Sequence, residues 1–128
     1  MPENKNALHP AVTLRLYTET KCFGPGVAML LKRVKTLRSL RSAAMDMNMA
    51  YSKAWTILKE AEKGLGFKLL LSTTGGRGGG GAVLTPQGEQ LLAAYETCEQ
   101  ELKAHAQRLF DQSLSPIIAA ARDPGEEL

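Results

Sequence analysis

The sequence predicts a mainly α fold with a small β hairpin and a long C-terminal helix. Three observations carry that expectation. Between Val27 and Lys63, apolar residues recur at steps of three and four in three separate blocks, the pattern of short amphipathic helices. Two short apolar runs, Phe67–Ser72 and Ala82–Leu84, flank a stretch in which six glycines surround Arg77. Glycine at that density has too much backbone entropy to lose in a helix interior or a packed strand, so the stretch reads as the tip between two strands. From Thr85 a single helical pattern then continues to about Gln112.

The elements follow in chain order. Residues 1–10 are polar and read as a flexible N-terminus. In Ala11–Thr20, Val12, Leu14, Leu16 and Thr18 alternate with their neighbours, which predicts a strand. Phe23-Gly24-Pro25-Gly26 reads as a turn. A first helix from Val27 to Arg38 carries Val27, Leu30, Leu31, Val34 and Leu37 on its apolar face. Ser39 is placed to cap a second helix bearing Leu40, Ala43, Ala44 and Met47, with Asn48 as its left-handed stop. A third helix runs from Tyr51 to Lys63, with Ala54, Trp55, Leu58 and Ala61 facing the core and Gly64 and Gly66 ending it.

Thr85-Pro86 marks the start of the last helix. Threonine caps, and proline takes the first helical position, where its missing N–H costs nothing. A helix of about 26 residues is about 39 Å long, longer than the small body it leaves. Leu91, Tyr95, Cys98, Leu102, His105 and Leu109 are spaced 4, 3, 4, 3, 4 and form a heptad-like stripe. With no intramolecular partner for its far half, the stripe predicts a homodimer interface. Pro116 is expected to interrupt, with one further helical turn at Ile117–Ala121. The expected organisation is an N-terminus at 1–10, a domain at 11–85, the long helix at 86–115 and a C-terminal tail at 116–128.

Charge narrows the partner. The 128 residues carry a formal net charge of +3. Residues 1–85 hold 13 Lys/Arg against 5 Asp/Glu, whereas residues 86–128 hold 3 against 8. A basic body with an acidic C-terminal part suits a polyanion at the first section only. Cys22 and Cys98 lack the spacing of a metal or redox pair, and the N-terminus has no apolar signal region. These features predict a cytoplasmic chain without a membrane span.

Two short helices joined by a tight turn form the helix-turn-helix pattern. In it Ala43, Ala44, Met47 and Met49 hold the pair together, and Trp55 and Leu58 anchor the third helix. Tyr51, Ser52, Lys53 and Thr56 are left near its N-terminus on the outward face, where donors read base edges. Lys59 lies further along and suits a phosphate, as does Arg41, the last of the cationic run Lys32, Arg33, Lys35, Arg38 and Arg41. Arg77 at the glycine tip is a five-donor cation suited to a phosphate or a guanine edge. The blander alternative is a helical hairpin with a merely solvated polar face.

Other chemistries find little support. A phosphate-cradling Walker loop needs Lys-Ser/Thr after its last glycine, and Ala82-Val83-Leu84 stands there instead. His9 lies in the N-terminal stretch and His105 in the stripe, and no HExxH, GxSxG or metal spacing occurs. The chain is therefore not expected to be an enzyme, to hold a metal or to need a cofactor.

AYSKAWTILKEAE and the later TTGGRGGGGAVLTPQGEQLL resemble the N-terminal DNA-binding domain of the molybdate-responsive (ModE-type) regulators. The wider SAAMDMNMAYSKAWTILKEAEKGLGFKLL is similar to the winged helix of LysR-type regulators. The resemblance covers about Thr13 to Gln112. It implies a winged helix-turn-helix plus a long C-terminal dimerisation helix, binding double-stranded DNA as a homodimer that represses or activates transcription. The recognition helix would be Tyr51–Glu62 and the wing Thr74–Ala82. Members that sense molybdate carry a C-terminal module marked by Ser-Ala-Arg-Asn, which this sequence does not contain. Molybdate or another oxyanion is therefore not an expected ligand, and a stand-alone DNA-binding protein is. A protein-interaction module built on the same fold is the alternative.

Overall fold

The computed structural model describes residues 7–73 and 81–122. Along the chain run β1 (Leu16–Tyr17), β2 (Lys21–Phe23), α1 (Pro25–Leu37), α2 (Leu40–Asp46), α3 (Tyr51–Leu65), β3 (Leu70–Thr73), β4 (Gly81–Leu84), α4 (Pro86–Leu109), a π-helical turn (Phe110–Leu114) and α5 (Ser115–Arg122). This is the expected mainly helical fold with a small antiparallel wing, β3–β4, and a long C-terminal helix. The glycine tip with Arg77 lies outside the described residues. The chain forms two compact units, Thr13–Thr97 and a second made of residues up to Val12 together with those from Cys98 onward.

The core of the first unit is built on α1. Leu30, Leu31 and Val34 are fully buried against Ala43 and Ala44 of α2 and Ala54 and Ala61 of α3. Four alanines at those contacts let three short helices pack closely around the larger α1 side chains. Leu37, expected on this face, is 43% exposed because α1 ends there. Its C-cap Arg38 turns left-handed (φ 60°), and the Arg38 carbonyl accepts the Ala82 N–H at 3.1 Å, tying the end of α1 to β4.

The N-terminal segment departs from the single strand expected. Only Leu16–Tyr17 is extended there, and it pairs with a second strand, Lys21–Phe23. The chain reverses at Thr18–Thr20, where the Thr18 N–H donates to the Thr20 carbonyl at 3.0 Å. That reversal uses no glycine, proline or asparagine, so the alternation ran through it unseen. Phe23, assigned to a turn, is fully buried at the end of β2. Pro25 instead opens α1 at its first turn, as proline's fixed φ favours.

The junction of α2 and α3 is built as the sequence suggests. The Ser39 hydroxyl accepts the Ser42 N–H at 3.0 Å, capping α2. Asn48 is left-handed (φ 56°). Met49 N–H then reaches the Ala44 carbonyl at 2.9 Å and Asn48 N–H the Met45 carbonyl at 3.0 Å, the paired bonds of a Schellman stop. At the other end of α3, Gly66 closes the helix with φ 89°. Gly64, expected to stop it, lies inside it. A side chain at Gly64 would collide with Cys22, so its role is close packing.

The wing is fastened at its base. Leu70 faces Leu84 and Thr73 faces Gly81 in register. The Thr85 hydroxyl donates to the Lys68 carbonyl at 2.7 Å and accepts the Gly88 N–H at 2.9 Å, so one side chain joins β3 to the start of α4. The early turns of α4 then close the core. Leu92 and Tyr95 are buried, and Tyr95 meets Phe23 edge-on at 5.0 Å. Its hydroxyl donates to the Leu14 carbonyl at 2.7 Å. Exposed ion pairs, Lys32–Glu96 at 3.0 Å and Lys35–Glu89 at 2.9 Å, join α1 to α4.

Pro116 does not break the helical path as expected. The chain widens into the π-helical turn before it, where the Ser115 N–H reaches back to the Phe110 carbonyl. That widening absorbs the hydrogen bond and the space that proline denies to a regular helix, and α5 continues to Arg122.

Candidate nucleic-acid interface

α3 presents two different sides. Ala54, Leu58, Ala61 and Glu62 are buried and face the core. Ser52, Lys53 and Thr56 are exposed on the outward arc. Their side chains have no hydrogen-bond or ion-pair partner among the described residues. The first turn of α3 carries no acidic residue, and its N-cap, Ala50, offers no capping side chain. The positive end of the helix dipole and its free N–H groups therefore stand open beside these donors.

The flank of α3 toward the wing has another character. Tyr51, Trp55 and Lys59 recur every four residues and so line one side of the helix. The Arg41 guanidinium lies 4.3 Å from the centre of the Tyr51 ring, and the Lys59 ammonium 5.4 Å from that of Trp55. Lys59 also approaches the Glu62 carboxylate at 3.4 Å. Trp55, expected to anchor the core, is 47% exposed. It sits at the edge of the buried arc, next to the buried Ala54 in sequence. Between this flank and the wing runs a groove of about 540 Å³, edged by Arg41, Lys59 and Lys68.

Glu62 ties α3 to the start of the wing. Its carboxylate, 9% exposed, accepts the Leu69 N–H at 2.7 Å and the Leu70 N–H at 3.3 Å. The first residues of the wing are thereby hydrogen-bonded to α3 itself. A charged residue on the buried arc was the available signal for this role, since buried carboxylates occur where donors converge.

The cationic run is divided by its partners. Lys32 and Lys35 pair with acids of α4, and Arg33 pairs with Asp46 at 2.6 Å. Arg41 has no acidic partner among the described residues and stands at the groove beside Tyr51. The C-terminal stripe is divided as well. Tyr95 is consumed by its own chain's core and Leu91 packs partly against it, which removes Tyr95 from a surface available to a partner. Cys98, Leu102, His105 and Leu109 are exposed, and no described residue after Tyr95 is buried. The Arg108 guanidinium donates a hydrogen bond to His105 Nδ1 at 2.9 Å.

Among the described residues, no group of three His, Cys, Asp or Glu side chains is placed to hold a metal ion. No helix there is long and apolar enough to cross a membrane.

Comparison with known proteins agrees with this geometry. Residues 28–89 match the family described as bacterial regulatory helix-turn-helix protein, lysR family. That span runs from α1 through α2, α3 and the strands β3 and β4 to the first turn of α4. The chain is 32% identical over 107 residues to the DNA-binding transcriptional dual regulator ModE of Escherichia coli, covering 83% of this chain and 41% of that protein. It is 34% identical over 99 residues to the molybdenum-pterin-binding protein MopB of Rhodobacter capsulatus, covering 77% of this chain and 34% of that one. A ModE regulator of Haemophilus influenzae is 34% identical over 101 residues, covering 77% and 40%. The chain thus spans about two fifths of the length of the ModE regulators it matches. Over residues 28–89 the chain is thus similar to the helix-turn-helix domain of the bacterial regulatory lysR family.

Proposed function

We propose that this chain is a DNA-binding transcriptional regulator that binds duplex DNA as a homodimer at an inverted repeat, with α3 in the major groove. The observation that carries the reading is the outward arc of α3. Ser52, Lys53 and Thr56 are exposed and unengaged beside an uncapped, acid-free helix start, while the neighbouring cations Arg41 and Lys59 edge the groove. In this reading Tyr51, Ser52, Lys53 and Thr56 meet base edges, and Arg41 and Lys59 meet phosphates. Arg77 extends the contact from the wing. Cys98, Leu102, His105 and Leu109, with the edge of Leu91, provide the surface on which two chains pair. The chain acts in the cytoplasm and by binding rather than by catalysis.

Fluorescence anisotropy with labelled mixed-sequence duplexes, at low and moderate salt, tests the reading. Binding that weakens steeply as salt rises is expected, because each phosphate contact releases a counterion. A selection from random duplexes should then return a two-fold symmetric site. Absence of duplex binding at low salt would leave the same fold as a protein-interaction module.

A further inference from the structure

A single contact between side chains joins the starts of α2 and α3. Arg41 is the second residue of α2 and Tyr51 the first of α3. The Arg41 guanidinium lies over the face of the Tyr51 ring, 4.3 Å from its centre. Neither side chain has a hydrogen-bond or ion-pair partner among the described residues. The place is unfavourable for a cation alone. Arg41 stands at the positive end of the α2 dipole, and the first turn of α2 carries no acid to offset it. The electron-rich face of the Tyr51 ring receives the charge instead.

The contact matters most for Tyr51. It is 38% exposed at a helix start whose N-cap, Ala50, supplies no side-chain hydrogen bond. An aromatic side chain without a neighbour there turns freely, and ordering it on a base would cost binding free energy. With the guanidinium over one face, the ring is held before DNA arrives. We propose that Arg41 is a positioning residue for sequence choice: by holding the Tyr51 ring, it fixes where the phenol hydroxyl meets a base edge. This rests on the chain's reading as a duplex-DNA binder with α3 in the major groove, and adds what makes the first residue of that helix selective. A hydroxyl both donates and accepts, so a mobile one satisfies several bases. A fixed one favours the base whose groups lie at its position. The guanidinium spends only its flat face on the ring. Its N–H groups lie in its own plane, so a phosphate contact stays open to the same residue.

Nuclear magnetic resonance of the full chain without DNA reads the contact itself. The Arg41 Hε and methylene protons should be shifted upfield by the ring current of Tyr51, and Tyr51→Leu should return them to their ordinary positions. Anisotropy with labelled duplexes reads the consequence, as the ratio of selected to random affinity. Arg41→Lys keeps the cation and removes the flat face, and since Arg41 is exposed it leaves the core untouched. It should lower the ratio about two- to fivefold, by weakening the selected duplex more than random ones. Tyr51→Leu should lower the ratio at least as far. Combined with Tyr51→Leu, the Arg41→Lys change should lower it no further, because the side chain it acts through is gone. Equal weakening of selected and random duplexes by Arg41→Lys would overturn the proposal and leave Arg41 as a phosphate contact alone. So would an equal fall of the ratio with and without the Tyr51 ring, or the absence of upfield shifts in the free chain. Each of those results spares base reading by Ser52, Lys53 and Thr56. Failure of the wild-type chain to bind any duplex would instead remove the proposed function, and this inference with it.

Discussion

On α3, neighbouring residues one position apart have opposite tasks. Lys53 and Thr56 are exposed and unengaged, while Ala54 between them is fully buried. Lys53→Ala and Thr56→Ala should each cost about 1–3 kcal/mol on the selected site and little on random DNA, as a lost base contact does. Equal losses on both duplexes, measured by anisotropy, would move these side chains to the phosphates. Glu62 acts on the same helix from the inside. Glu62→Ala leaves the Leu69 and Leu70 N–H groups without their acceptor, which should destabilise the fold by about 1.5–3 kcal/mol in urea unfolding. DNA affinity should fall for all sequences, because the wing loses its link to the recognition helix. Unchanged stability would show that water replaces the carboxylate.

At the scale of elements, the wing is positioned by bonds from three directions. Glu62 holds the start of β3, the Arg38 carbonyl holds β4, and Thr85 joins the base to α4. Arg77→Ala should weaken binding to selected and random duplexes alike, and make the salt dependence shallower by about one unit per chain. A salt slope equal to that of the wild type would remove Arg77 from the DNA surface. The strong local signals of the wing and helices, Thr85-Pro86, Ser39 and Asn48, were legible because capping and turn chemistry act over a few residues. The β1–β2 reversal was not, because its Thr-Glu-Thr turn carries no residue with a marked turn preference.

For the whole molecule, the question is what covers the exposed stripe. Leu102 is 44% exposed and Leu109 is 50% exposed, and Cys98 and His105 are exposed with them. Leu102→Glu should leave the chain folded, since Leu102 is not part of the core. It should shift the chain toward monomer, because pairing would bring two carboxylates together out of water at a cost of several kcal/mol. DNA affinity should fall although no DNA-facing residue changes. Sedimentation of the wild type as a monomer, at concentrations well above those needed for DNA binding, would remove the homodimer from the proposed function.

The sequence by itself determined the helix-turn-helix order, the two strands of the wing, the capped start of the long helix and the basic character of the first section. Each rests on local chemistry: helical periodicity, a capping hydroxyl, a left-handed Asn48, a proline at a helix start. Only the tertiary structure decided where shared positions went. Trp55 and Tyr95 both lay on apolar stripes, and they parted. Tyr95 had Phe23 and the Leu14 carbonyl to receive its ring and its hydroxyl. Trp55 had Lys59 above its ring and remained half exposed at the groove. Periodicity gives the angle of a side chain around its helix. Whether that angle is filled depends on the volume and polar partners supplied by residues distant in sequence.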